Sequence, residues 1–158
     1  MTDRKKPGKH EALQKMQRLC SMREKCRHDV LEKLRGSGFS TEDAEWVVIK
    51  LEEDRFIDDT RYAGFFTRDK YKFNHWGRLK IRHALQVKNI EKDIIEDALS
   101  AIDQEEYISV MEGEAIKKNR TVKEEDSYRR KVKLMQFLAG RGVEPNYVYE
   151  IVDKILGG

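Results

Sequence analysis

Leu51-Glu52-Glu53-Asp54-Arg55-Phe56-Ile57-Asp58-Asp59-Thr60-Arg61-Tyr62-Ala63-Gly64-Phe65-Phe66 reads as the end of one helix, an acidic corner and the start of the next. Leu51 closes an apolar stripe, and Phe56 and Ile57 follow it into the corner. Asp58 or Asp59 can cap the helix that begins there, because a carboxylate accepts free backbone N–H groups and suits the positive end of the helix dipole. Tyr62 and Phe66, four residues apart, share a face. The stretch is therefore a joint between two helices, and the flanking sequence says what it joins.

Working outward, one pattern occurs three times. A short middle helix ends on Leu34, Leu85 and Leu138, each with an apolar residue four before it (Val30, Ile81, Leu134) and another five after it (Phe39, Ile90, Val143). Between them lie Gly36-Ser37-Gly38, Lys88-Asn89 and Gly140-Arg141-Gly142, residues that tolerate a left-handed C-terminal turn. The helix that follows carries Ala44, Val47, Val48 and Leu51, then Ile95, Ala98, Leu99 and Ile102, then Val148, Ile151, Val152 and Ile155. Ser40 to Asp43 resembles a capping box, and Pro145 suits a first helical turn. Lead helices are expected over 11–24, 58–73 and 104–122, the first with Leu13, Met16, Leu19 and Cys20 inward, the third with its end from Thr121 to Asp126 fraying into a loop. The expected fold is all-α: three tandem three-helix repeats in an elongated, curved array, over 10–57, 58–103 and 104–158, after a basic flexible tail at 1–9. A single nine-helix domain with accidental register is the weaker alternative.

Composition agrees with helices. Of 158 residues, 39% are hydrophobic and 39% charged, and 2 are proline, which suits many thin amphipathic helices better than a sheet or one thick core. Arg4, Lys5, Lys6 and Lys9 against Asp3 account for the net charge of +3, so the remaining chain is balanced and any basic site must be local. Cys20 and Cys26 form no C-x-x-C pair, and no metal-ligand spacing links them to His10, His28, His75 or His83. Neither a phosphate-binding G-x-x-x-x-G-K-[ST] loop nor a G-x-S-x-G elbow occurs. The acid pairs Glu52-Glu53 and Asp58-Asp59 read as caps and solvated ends. The expectation is a cytoplasmic, non-enzymatic, monomeric protein with no catalytic residues, cofactor, metal or membrane association.

The stretch from Leu51 to Ala63 resembles the central signature of the RecX family: a leucine, acids, an apolar pair, Asp-Asp, then Arg, an aromatic and Ala. Trp76 to Leu85 with Lys88-Asn89-Ile90 is similar to the family's second-repeat middle helix, and Lys131 to Val143 to its third-repeat ending. Arg27 to Leu34, with Phe39, fits the first repeat. The resemblance covers roughly Leu13 to Leu156, with Asn89 where the family commonly has Gly and Val143 where it often has Phe. It implies a regulator in DNA repair and recombination that binds the RecA recombinase or its filament on single-stranded DNA, with inhibition of filament extension, ATP hydrolysis and strand exchange. Partners would be RecA and, directly or through RecA, single-stranded DNA. The alternative is a stand-alone helical DNA-binding or transcription-related module; no helix concentrates Arg, Asn and Gln for base reading, which weighs against it.

Spacing picks out a candidate contact surface. Arg61, Arg68 and Lys72 form a stripe with Phe65 at its edge, while Tyr62, Phe66 and Phe73 are expected to turn inward. Arg78 and Arg82 share one flank of the next helix and Lys80 takes the other, with Trp76 and Gly77 at its start. Gly77 is expected to let an anion approach free N–H groups there. Lys88 sits in the turn that follows. Arg129, Arg130 and Lys133, beside Lys131, form a second cluster, and Arg141 lies in the third turn. Trp46 is expected to pack, and of Tyr147 and Tyr149 the second to face a partner.

Overall fold

The computed structural model describes residues 8–157. Among them are nine α-helices: α1 (Lys9–Met22), α2 (Arg27–Gly36), α3 (Thr41–Glu53), α4 (Asp59–Asn74), α5 (Arg78–Val87), α6 (Lys92–Ser100), α7 (Gln104–Thr121), α8 (Ser127–Gly140) and α9 (Pro145–Ile155). No strand occurs among the described residues, and none of these helices is long and apolar enough to cross a membrane. The expected tail lies mostly outside the described residues; Lys9 already opens α1. The chain forms two compact units, the first ending at Ala63 and the second beginning at Gly64.

The first unit packs α1, α2 and α3 around Met16, Cys20, Val30, Leu34, Ala44, Val47, Val48 and Leu51. Leu13 and Leu19 flank this core half-buried, and Ala12 takes the remaining inward position on α1. Trp46 packs against the same core, with the His10 ring edge-on at 4.9 Å. Ser40 caps α3 by accepting the Asp43 N–H at 3.1 Å. In the second unit the core is built from Ala115, Tyr107 and Met111 of α7, Leu134 and Leu138 of α8, and Val148, Ile151 and Val152 of α9, with Ile81, Leu85, Ile95 and Leu99 from α5 and α6.

The middle helices α2, α5 and α8 end identically. The N–H of Phe39, Ile90 and Val143 donates to the carbonyl of Leu34, Leu85 and Leu138 at 3.1, 3.2 and 3.1 Å. The preceding Gly38, Asn89 and Gly142 have φ of 90°, 56° and 86° and close the inner bond of the turn. This is the paired-bond helix stop that requires a left-handed residue, and Asn89 supplies it in place of glycine. α3 ends the same way on Arg55, with φ of 58° and Phe56 N bonded to Leu51 O at 2.8 Å.

Candidate functional site

The two aspartates of the acidic corner divide the capping work. Asp58 Oδ1 accepts the Arg61 N–H at 3.1 Å and so caps α4. Asp59 Oδ1 accepts the Arg27 N–H at 2.9 Å and so caps α2, a helix whose own N-cap, Cys26, has only a weakly accepting sulfur. Arg61 stitches the same corner. Its Nε meets both Glu24 oxygens at 2.9 and 3.1 Å, and its Nη2 reaches the carbonyls of Arg55 and Phe56. Arg27 pairs with Glu45 and Glu52. The guanidinium of Arg61, expected at the head of a contact stripe, is thus engaged within the first unit.

In the second unit most of the candidate cations are also engaged. Arg78 lies over the Tyr107 ring at 4.0 Å, pairs with Glu144 at 2.9 Å and donates to Gln104 at 2.7 Å. Tyr107 Oη donates to Glu144 and accepts the Arg78 N–H at 3.1 Å, and burial raises its pKa. Arg82 holds Glu96 bidentately at 2.7 and 3.1 Å; that hydrogen bonding raises the arginine pKa and lowers the carboxylate's. Arg130 gathers the carbonyls of Asn119, Val122 and Glu124 and so closes the end of α7. Lys133 pairs with Glu124 at 3.4 Å, and Lys131 with Asp153 at 3.0 Å. Arg141 donates to Asn74 O at 2.6 Å and lies 3.6 Å from Glu114, which also meets His75 at 2.5 Å. Lys88 is the C-cap of α5 and has partners of its own.

Two expectations are corrected. Gly77 does not open α5 to an anion. Its N–H donates to Arg141 O at 2.6 Å, Leu79 N donates to Gly142 O at 2.9 Å, and Tyr107 takes Arg78 N. Gly77 is buried, and a Cβ there would overlap the Gly142 carbonyl, so this glycine exists to let two backbones meet. Phe73 does not turn inward; it is 80% exposed at the last turn of α4. Counted round the helix, it falls about 120° from the buried line Ala63, Thr67 and Tyr71.

What remains for a partner is narrower than the sequence list. Arg68 and Lys72 are exposed on α4, and among the described residues neither has a carboxylate partner; Arg68 sits 5.4 Å over Phe65, itself 47% exposed. Trp76 is half-buried, edge-on to Phe66, with Lys80 and Lys70 at 4.6 and 5.1 Å from its ring. Arg129 is exposed beyond its role at the start of α8. Tyr149 is exposed, and Tyr147 instead accepts a hydrogen bond from Gln104 at 2.7 Å. Sequence spacing missed an open groove between the end of α7 and α8, lined by Lys118, Lys123, Lys133 and Phe137. Its lysines come from different elements, so no single helical stripe announces them. Among the described residues no cluster of histidine, cysteine and carboxylates could hold a metal ion.

The family model described as RecX, second three-helix domain, matches residues 58–99. Proteins named regulatory protein RecX are similar over most of the chain. That of Chlorobaculum tepidum is 32% identical, covering 94% of this chain and 91% of its own length. That of Prosthecochloris aestuarii is 32% identical, covering 85% and 87%. The Clostridium botulinum Eklund 17B protein is 34% identical over 84% of this chain, which spans 60% of that longer relative. A crystal structure of regulatory protein RecX matches with a TM-score of 0.83 at 27% identity, over 92% of this chain and 71% of the other. RecX from Lactobacillus salivarius shares the fold at a TM-score of 0.82 and 20% identity, over 93% and 96%.

Proposed function

The chain belongs to the RecX family, and from that premise we propose that it is a non-enzymatic regulator that binds RecA on single-stranded DNA and inhibits it. Three consecutive three-helix units, 10–57, 58–103 and 104–158, would present side chains along the filament. The observation that carries the reading is the outward face of α4. Among the described residues Arg68 and Lys72 have no carboxylate partner, and they are set beside exposed Phe65 and Phe73. Unspent cations next to exposed aromatics fit a binding face, because interface anchors are typically aromatic and Arg side chains with nothing else to satisfy. Direct contact with the DNA strand would fall to Arg129 and the Lys118–Lys133 groove, where Phe137 offers a stacking surface among cations.

Inhibition in this reading is steric. Protein held on the filament blocks addition of the next recombinase subunit and hinders the motions that accompany ATP hydrolysis, so no group of this chain needs to do chemistry. The test is RecA ATPase and strand exchange on single-stranded DNA with substoichiometric protein. Both activities are expected to fall. Unchanged activities, with sequence-specific binding to duplex DNA in moderate salt, would point to the stand-alone DNA-binding module instead.

A further inference from the structure

Position by position, the three lead helices bury matching side chains. α1 buries Ala12, Met16 and Cys20, α4 buries Ala63, Thr67 and Tyr71, and α7 buries Tyr107, Met111 and Ala115. The middle position is methionine in the first and third and threonine in the second. The closing helices differ in the same way. Val47 and Ile151 fill a core position at which α6 has Ala98. Two facing core positions are therefore smaller in the second trio, and a groove opens between α4 and the α6–α7 segment, lined by Gly64, Thr67, Tyr71, Ala98 and Ala101. Ile102 stands half-exposed on its wall, as its counterpart Ile155 does in the third trio, while Leu51 in the first is wholly buried.

The groove is chemically incomplete. Thr67 is 3% exposed, and among the described residues its Oγ1 is the buried side-chain polar atom without a hydrogen-bond partner. An orphan hydroxyl is costly where a methionine would be free of cost, so its presence needs an acceptor or donor from elsewhere. Beside it, Tyr71 Oη reaches Glu106 at 3.4 Å, too long to hold that wall firmly. Arg68 and Lys72, the unpaired cations of α4, also line the groove.

We infer that this groove receives an acidic side chain of the protein partner, an inference that rests on the RecA-binding reading. The Thr67 hydroxyl donates to the entering carboxylate, and Arg68 and Lys72 pair with it. A peptide fits better than a nucleic-acid strand. Asp103 and Glu106 on the same groove repel any anion, but Arg68 and Lys72 can offset a single carboxylate with neutral amide neighbours and not a run of phosphates. The small residues Gly64, Ala98 and Ala101 admit a main chain closely.

The experiment fills the groove with the residues that the other trios carry. Thr67→Met, Ala98→Val and the isosteric Thr67→Val are compared with wild type and with the Arg68→Glu, Lys72→Glu double variant. Each full-length protein is melted, then titrated against RecA filaments on single-stranded DNA and, separately, against the oligonucleotide alone. The groove-filling variants should melt at or above the wild-type temperature, and all variants should bind the filament about tenfold or more weakly, which for Thr67→Val is the loss of one charge-assisted hydrogen bond and for Ala98→Val the loss of space. Oligonucleotide binding by the Thr67 variants should not change. Wild-type affinity for the filament in both Thr67 variants overturns the groove assignment and leaves the RecA reading standing. Weakened oligonucleotide binding by Thr67→Val overturns the peptide occupant. A wild-type protein that does not bind the filament removes the RecA reading, and this inference with it.

Discussion

At Gly142 the chain has no choice of residue. With φ of 86°, it occupies the left-handed region, and an added Cβ would stand 2.5 Å from Lys80 N. Gly142→Ala should therefore cost about 2–4 kcal/mol, from backbone strain plus displacement of α5. Gly140→Ala, two residues earlier inside α8 with nothing within 4 Å of the new methyl, should be neutral or gain up to about 1 kcal/mol in helix propensity. Urea midpoints of the two variants check the contrast. The glycines at 140 and 142 look alike in sequence, and register alone shows that the second is the turn residue. What register could not show is the neighbour. Gly77 reads as an open anion site until its actual contact, the Arg141–Gly142 backbone, is known. The cations have the same difficulty. Arg78 meets Glu144 across 66 residues and Arg141 meets Asn74 across 67, pairings that helical periodicity does not encode.

Elements were far more legible, because what sets them is local. The lead helices run 9–22, 59–74 and 104–121, within two residues of the spans read from periodicity at either end. The three helix stops were readable from Gly, Asn and the apolar residue after them. The corner at Asp58 and Asp59 was readable as a cap, but not as caps on two different helices. Asp58→Ala should loosen α4 and Asp59→Ala should loosen α2, each by about 0.5–2 kcal/mol. Hydrogen exchange resolved by segment checks this; faster exchange at the start of α4 in both variants would remove the division of labour. Arg130 acts at the same scale. Arg130→Ala frees the last carbonyls of α7 and the 122–126 loop, with an expected loss of about 1–3 kcal/mol and of exchange protection in α7's last turn. Arg130→Lys should recover little, since an ammonium lacks the planar fork that spans three carbonyls.

Across the whole chain, buried groups that titrate at high pH set an alkaline limit. Burial pushes the Cys26 thiol from 9.0 up to about 12 and the Tyr71 phenol from 10.0 up to about 12, and raises Tyr62 and Tyr107 further. The unfolded chain loses these protons first, so above pH 9 the folded chain holds more of them, and stability falls as pH rises. Urea midpoints should hold steady from pH 7 to 9 and decline towards pH 12, and in Cys26→Ala the decline should be shallower, since burial raises the Cys20 thiol as well and it still contributes. The backbone contact between Gly77 and Gly142 has a further consequence, for the order of events during synthesis. The N–H groups of Gly77 and Leu79 are satisfied by carbonyls near the C-terminal end of the chain. On the ribosome, α5 leaves the exit tunnel with the Gly77 and Leu79 N–H groups bonded to water alone, and they stay so until residues 141 and 142 follow. The start of α5 is thus translated early and finished late, and a release that stops short of Arg141 leaves it with open donors.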